Sequence, residues 1–390
     1  MLVRAQAEAL TLEQAIASAR AQRPAFEAAR LRVVQANLSR RALGAFPTTR
    51  LFVGYSSDQE VGGSDDDLVL AQPIDIFGRT SAARASGTAI VMRAEAEFRA
   101  VSVEVQSQVV DAYIEAAASA ELARIAASVQ EGLERLYEAT RLRVEGGVAP
   151  GVQLTRVGLE LEQAKLRSDR RQAELQANRQ RLGTLIGKDY TLVSVQAVPE
   201  LPISEANEAV LLSQRPDLLL LTADVLIAEA DARIARLEGL PVFELQARRT
   251  PWQERDQRYG IRLQLSFPIF DYGRVRSETK AAETKAEAAR KALADASKLA
   301  SGELAAARIE MNAAKQQVGR YEALVSTAKD LVERLSPALT EQATTLIEVI
   351  DATRTLRDVE EALVEARRRL AQAQSRYLRA AGQIIEVPSR

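Results

Sequence analysis

The sequence predicts a mainly α fold with a small β part, organised as a tandem repeat of a helix, a β-hairpin and a long antiparallel helical hairpin. Arg23-Pro24, opening an apolar-rich helix, recurs as Arg215-Pro216, and Phe46-Pro47, before a strand, recurs as Leu240-Pro241. Ala71-Gln72-Pro73-Ile74-Asp75-Ile76-Phe77-Gly78-Arg79 returns as Ser266-Phe267-Pro268-Ile269-Phe270-Asp271-Tyr272-Gly273-Arg274. From Pro73 to Gly187 the distance to the second copy, Pro268 to Gly382, holds at about 195 residues, so neither copy carries a net insertion. A repeated unit that cannot bury its apolar face alone must stack on neighbours, other chains included. The predicted organisation is a remnant at 1–10, repeat 1 at 11–187, a linker at 188–203, repeat 2 at 204–382 and a tail at 383–390.

Thr11 to about Leu43 is periodic and apolar on one face, with Thr11 as a plausible N-cap and Gly44 as a stop. Two β-runs follow near Thr49–Ser56 and Leu68–Ile76, joined by a polar glycine-bearing segment. The second copy places its strands at Val242–Arg249 and Tyr259–Phe270, joined around Pro251-Trp252. Thr80 to about Glu145 and Val275 to about Leu339 are nearly free of proline and rich in Ala, Glu and Arg. Within the first of these, Leu122, Ile125, Val129, Leu133 and Leu136 step by three or four, as in a coiled-coil seam. After Gly146-Gly147-Val148-Ala149-Pro150-Gly151 a returning helix runs to Gly187, and the second copy turns between Ser336 and Thr345 and runs to Gly382. At 1.5 Å rise per residue the outgoing helix spans about 100 Å, while the helix before the hairpin and the returning one span about 48 and 54 Å. Each repeat therefore reads as one long helix paired with two shorter stacked ones, with the strands at one end.

Composition excludes several functions. The 52 basic residues nearly cancel 53 acidic ones, so no clustered basic excess marks a nucleic-acid partner. There is no cysteine and no histidine, and only three methionines are present. Disulfides, a lipid-anchored cysteine and imidazole or thiolate metal ligands are thereby excluded, as is a nucleophile paired with a histidine base. Neither a P-loop nor a dinucleotide fingerprint occurs, so no cofactor and no enzyme activity are expected. No stretch of eighteen apolar residues marks a transmembrane helix. Ala5-Gln6-Ala7 before the helix start fits the end of a signal peptide and equally an alanine-rich fraying terminus.

The strands carry the functional signal. Ile261, Leu263, Leu265, Phe267 and Ile269 alternate with Arg262, Gln264 and Ser266, and Phe243, Leu245 and Ala247 alternate with Glu244, Gln246 and Arg248. One apolar and one polar face suits a half-buried soluble hairpin or a transmembrane β-barrel. A strand pattern at the far end of such long helices has no helical face to cover it, and four strands cannot close a barrel. Since a sheet in a bilayer must close, an oligomer follows, and three copies would supply about twelve strands. On this reading Ile261, Leu263, Leu265, Phe267, Phe243 and Leu245 face lipid.

At this point the chain resembles the TolC-like outer-membrane efflux proteins, over Thr11 to Gly382. The repeat organisation carries the resemblance, with the Pro-Ile-x-x-x-Gly-Arg segments Pro73, Gly78, Arg79 and Pro268, Gly273, Arg274 as strand-to-helix junctions. Its most specific part is Thr345-Leu346-Ile347-Glu348-Val349-Ile350-Asp351-Ala352-Thr353, running uninterrupted to Gly382. The resemblance implies a homotrimer: a shared β-barrel in outer-membrane lipid continued by an α-barrel through the periplasm. It further implies a passive exit duct of a tripartite efflux or type I secretion system, docked on a periplasmic adaptor and an inner-membrane pump. It assigns Glu348 and Asp351 to the periplasmic aperture, an assignment that competes with an ordinary solvated acidic pair. It assigns Gly147, Val148, Ala149, Gln342 and Ala343 to the adaptor-docking tips, although Gln153 and Gln342 depart from the family pattern there. Arg248, Arg249, Arg255 and Arg258 are placed to reach lipopolysaccharide phosphates or to sit in a solvated loop. A soluble coiled-coil scaffold with β-hairpin caps is the alternative.

Overall fold

The computed structural model describes residues 10–58, 63–189, 195–203, 206–249, 259–267, 269–340 and 345–385. In order the elements are α1 (Leu12–Gln22), α2 (Pro24–Leu43), β1 (Arg50–Asp58), β2 (Gly63–Ile74), α3 (Arg79–Glu145) and α4 (Gly151–Ile186). The second copy gives α5 (Glu208–Ser213), α6 (Pro216–Glu238), β3 (Val242–Arg249), β4 (Tyr259–Ser266), α7 (Arg274–Thr340) and α8 (Leu346–Ala380).

The expected single helix from Thr11 to Leu43 is two helices. Thr11 begins α1 with a reciprocal capping box, its Oγ1 accepting from the Gln14 N–H at 3.3 Å while Gln14 Oε1 accepts from the Thr11 N–H at 3.0 Å. The helix stops because Arg23 precedes a proline and is pushed to φ −84, ψ 119, and Pro24 then opens α2 where its missing N–H costs nothing. The second copy breaks at the equivalent Arg215-Pro216, between α5 and α6. Strand β4 ends at Ser266 rather than Phe270: its partner β3 begins at Val242, opposite Ser266, so the ladder has no further residue to pair. Phe267 is therefore outside the strand.

By its internal contacts the chain forms two compact units, each drawing on both repeats. One comprises Met1–Glu27, Val101–Arg215 and Leu299–Arg390, the other Ala28–Ala100 and Pro216–Lys298. The core of the first gathers Ile16 of α1, Val109, Tyr113 and Ile114 of α3, Leu182 and Ile186 of α4 and Ala371 and Leu378 of α8. Burying each large aliphatic chain there contributes about 1.5–3 kcal/mol. Tyr113, the largest fully buried side chain, donates its hydroxyl to the Leu10 carbonyl at 2.8 Å and accepts from the Gln196 N–H at 3.3 Å, so burial leaves no polar atom of it unsatisfied. The predicted seam on α3 is partly realised: Leu133 packs with Leu161 and Ala164 of α4, flanked by Val129 and Leu136.

The returning helices both end at a left-handed glycine, Gly187 at φ +66 and Gly382 at φ +64. A Cβ on Gly382 would stand 2.7 Å from the Arg215 Cα, a backbone atom that cannot swing away. Arg215 is itself fixed, donating to the Ala380 carbonyl at 3.0 Å and to Glu303 at 2.9 Å. Gly147 in the helical tip is equally left-handed at φ +71, with nothing within 4 Å of such a Cβ. Gly382→Ala is expected to destabilise the fold by about 1–3 kcal/mol and Gly147→Ala by less, since only the first adds a clash to the strained φ. Chemical denaturation of both variants checks the order, and equal losses would remove the clash from the explanation.

Candidate functional site: an uncovered sheet, its junctions and the helical tip

The four strands form one sheet in the order β1-β2-β3-β4, antiparallel throughout, with the β2–β3 pairing joining the two repeats. Opposed residues share a face, so the register defines both surfaces. One row runs Leu51–Leu70–Ala247–Ile261, and parallel rows add Val53 with Leu68, Leu245 with Leu263 and Phe243 with Leu265. This face is mostly apolar, with Gln72 and Arg249 among its polar members, and bare: Val53 is 71% exposed, Ile261 81% and Leu263 62%. Burying such a row in hydrocarbon gains about 1.5–3 kcal/mol per side chain, a gain that water leaves unrealised. The opposite face carries Glu244, Gln246 and Gln264, where the buried Gln246 amide donates to Glu244 at 2.5 Å and to Gln264 at 2.8 Å. Strands β1 and β4 each have one neighbour and an open edge.

The predicted lipid-facing residues Phe243, Leu245, Ile261, Leu263 and Leu265 do share one face, while Phe267 lies just beyond the strand and exposed. Leu51, Val53, Leu70 and Ile74 belong to the same surface and were not singled out in the sequence. Their signal is weak because Leu51-Phe52-Val53 is continuously apolar, with Phe52 on the polar face, and shows no alternation.

At the junctions the chain turns from strand to helix through Gly78 at φ +81 and Gly273 at φ +80, with Tyr272 before the second at φ +49. Asp75 accepts from the N–H groups of Arg79 at 2.8 Å and Thr80 at 2.6 Å, capping α3, and Asp271 accepts from Gly273 and Val275 at 3.1 and 3.2 Å, capping α7. Burial pushes the Asp75 carboxyl up, but the donors from Thr80, Arg79 and Gly78 outweigh it and hold the group below its usual range. Pro73 sits in β2 opposite Glu244, and Pro268 lies outside the described residues. The two junction arginines differ. Arg79 donates Nε to the Leu237 carbonyl at 3.2 Å and Nη2 to the Leu237 and Leu240 carbonyls at 2.7 and 2.6 Å, closing the C-terminus of α6. Arg274 uses Nη1 on Glu278 at 3.0 Å, with Glu238 at 3.7 Å.

At the first tip α3 ends at Glu145, and the Val148 and Ala149 N–H groups return to the Arg143 carbonyl at 2.9 and 3.2 Å, leaving the Val148 side chain exposed. Gln342 and Ala343 of the second tip lie outside the described residues, as do Arg255 and Arg258. Glu348 and Asp351 fall in the first turns of α8, both exposed. Glu348 has a local task missed in the sequence reading: its Oε2 accepts from the Thr345 N–H at 2.9 Å while Thr345 Oγ1 accepts from the Glu348 N–H at 3.3 Å. The Thr-x-x-Glu spacing was the available signal. Asp351 lies 3.4 Å from Arg354, whose guanidinium also binds Glu160 of α4. Below them Leu346 and Ile350 pack on Val157 of α4, fixing the start of α8 against that helix. Among the described residues no cluster suited to a metal ion occurs, and no helix is long and apolar enough to cross a membrane.

Comparisons with known proteins agree with this architecture. The outer membrane efflux protein model matches residues 15–188 and 209–383, one match for each repeat. The pyoverdine export outer membrane protein OpmQ of Pseudomonas aeruginosa is 26% identical over 249 residues, 58% of this chain. That alignment spans about half of OpmQ, 51% of its length. The outer membrane protein VceC of Vibrio cholerae superposes with a TM-score of 0.75 at 19% identity, covering 95% of this chain and 96% of VceC. The CmeC outer membrane channel of Campylobacter jejuni gives 0.74 at 16% identity, covering 97% and 87%. These likenesses establish the fold, that of the TolC-like channels, and the matched model places the protein in the outer membrane. With both repeats matched, the chain belongs to the outer membrane efflux protein family.

Proposed function

We propose that this chain is one subunit of a trimeric exit duct, in which three copies close a β-barrel in the outer membrane and continue it as a helical tunnel in the periplasm. The duct is passive and serves a tripartite efflux or type I secretion system, receiving its cargo from an inner-membrane pump through a periplasmic adaptor. The observation that carries this reading is the apolar sheet face. It lies bare from β1 to β4, while on β3 and β4 the opposite face carries Glu244, Gln246 and Gln264 in a hydrogen-bonded cluster, the arrangement of a barrel with lipid outside and water within. A soluble scaffold would have to cover that face, yet Val53, Ile261 and Leu263 remain among the most exposed apolar side chains. Exposed aromatics at the junctions support the membrane assignment: Phe46 is 84% exposed before β1, and Phe267, Phe270 and Tyr272 (99%) are exposed after β4, as in the girdles that mark a lipid–water boundary.

Cargo specificity belongs to the pump, because a wide duct distinguishes little. Gly147, Val148 and Ala149, with Gln342 and Ala343, form the adaptor-docking tips in this reading. Glu348 and Asp351 ring the periplasmic mouth, where threefold symmetry would gather six carboxylates about one axis and their mutual repulsion would favour cations.

The face assignment is tested by Leu263→Arg, Leu265→Arg and Gln264→Arg. A charge on the lipid face costs about 2–4 kcal/mol at mid-bilayer, so the first two should block insertion while Gln264→Arg inserts normally. Heat-modifiable migration of membrane extracts reads this directly, and equal damage from both classes would overturn the membrane assignment.

The aperture is tested without disturbing the helix start, since a glutamine at the third helical position preserves a capping box while removing the charge. Glu348→Gln combined with Asp351→Asn should lower cation preference and relieve block by divalent cations in planar-bilayer recordings. Unchanged selectivity together with unchanged block would remove this pair from the gate.

A further inference from the structure

The seam between the two repeats is a template for a second seam. Inside the chain β2 pairs with β3, placing Leu70 opposite Ala247 and Gln72 opposite Leu245, and Arg79 closes the end of α6 through the Leu237 and Leu240 carbonyls. Every member of this seam has a repeat equivalent about 195 residues away: Leu70 and Leu265, Ala247 and Val53, Arg79 and Arg274, Leu237 and Leu43, Leu240 and Phe46. In the structure these equivalents are unmatched. Strand β4 and strand β1 are the open edges. Arg274 engages its acidic partners through Nη1, and among the described residues its Nε and Nη2, the two atoms Arg79 uses, have no acceptor. At the end of α2 the Gly44 carbonyl is taken by Arg84 Nε at 2.9 Å, while no donor among the described residues reaches the carbonyls of Leu43 or Phe46. Donor and acceptors left over beside the two edge strands match those that are satisfied at the central pair.

We propose that Arg274 is an intersubunit clasp: its Nε and Nη2 donate to the Leu43 and Phe46 carbonyls of a second copy, whose β1 pairs with β4 so that Leu265 faces Val53. This deepens the trimeric reading given above and rests on it. The register has an internal check. Leu265 and Val53 were placed on the apolar face by separate intrachain pairings, and the transferred register brings them together, whereas a slip of one residue would set apolar rows against polar ones. The same register sets Phe267, the residue just past the isolated β4, opposite Leu51 and so extends the ladder once the second copy is present. Arg274 completes the junction in electrostatic terms too, since a guanidinium at a helix C-terminus meets its orphan carbonyls and the negative end of its dipole. Glu278, which has only Ala83 as its repeat equivalent, holds the guanidinium in place from its own helix while leaving those two donors available.

The absence of cysteine makes the register measurable. Edge strands β1 and β4 of one chain are three strand spacings apart, about 14 Å, beyond the roughly 7 Å that a disulfide spans, so an introduced pair bridges only between copies. First, the mass of the unaltered protein in detergent is measured. Then Val53→Cys with Leu265→Cys on the outer face, and independently Gly54→Cys with Gln264→Cys on the inner face, are oxidised and run on a denaturing gel. Both should give a reducible cross-linked trimer, while the pair slipped by two residues, Val53→Cys with Phe267→Cys, should not. Arg274→Ala should lower the temperature at which the trimer dissociates in SDS by roughly 5 °C or more, with helix content of the subunit unchanged. A trimer that cross-links only through the slipped pair, or that dissociates at the original temperature without Arg274, overturns the clasp and leaves the duct reading intact. A monomeric mass for the unaltered protein overturns both.

Discussion

Each unpaired backbone N–H or C=O held in hydrocarbon costs several kcal/mol, more than any single side-chain contact in this chain returns. The sheet of this protein meets that constraint in its interior and leaves it unmet at β1 and β4. In the proposed membrane setting its bare, mostly apolar face would gain from lipid, while its two open edges would first have to be paired. The remaining architecture can be understood from this conflict. The tight junctions at Gly78 and Gly273 bring α3 and α7 directly off the ends of β2 and β4. The carboxylates of Asp75 and Asp271 then satisfy the first N–H groups of those helices, so the strand-to-helix transition leaves few orphan donors.

Much of this was legible in the sequence because duplicated segments and residue periodicity are local signals. The order of elements, the ends of α3 and α4, the bounds of β3 and the N-cap role of Thr11 follow from glycine, proline and threonine positions. The sheet order does not. Alternation tells which residues share a face but not which strand lies beside which, and the β2–β3 pairing that joins the repeats has no local signature. The division into compact units was hidden for the same reason, since each assembles halves of both repeats. Arg23-Pro24 marked the opening of α2, while the apolar periodicity running through it hid that α1 before it is a separate helix.

The tip shows a different limit. Thr345-Leu346-Ile347-Glu348 reads as an acidic motif and also as a capping box, and sequence alone does not rank the two. In the structure the carboxylate caps its own helix, and Asp351 shares Arg354 with Glu160. Charge at this end of α8 is thus tied to helix nucleation and to the α4–α8 contact, with Leu346 and Ile350 on Val157 beneath.

The covalent link between the repeats has a kinetic side. In the proposed trimer, if each repeat were a separate chain, a ring of twelve strands would require six bodies to meet and every seam would be a bimolecular encounter, each losing translational and rotational freedom. Carrying both repeats on one chain would turn half of those seams into intramolecular steps governed by an effective concentration that the connection sets, independent of how much protein the membrane holds. Fusion also frees the two halves from identity. Arg79 has no acid one turn on and closes a junction made within the chain, whereas Arg274 has Glu278 there and, in the proposed assembly, would use its other donors on a second copy. A duplicated gene product can thereby tune the seam made during folding separately from the seam made during insertion.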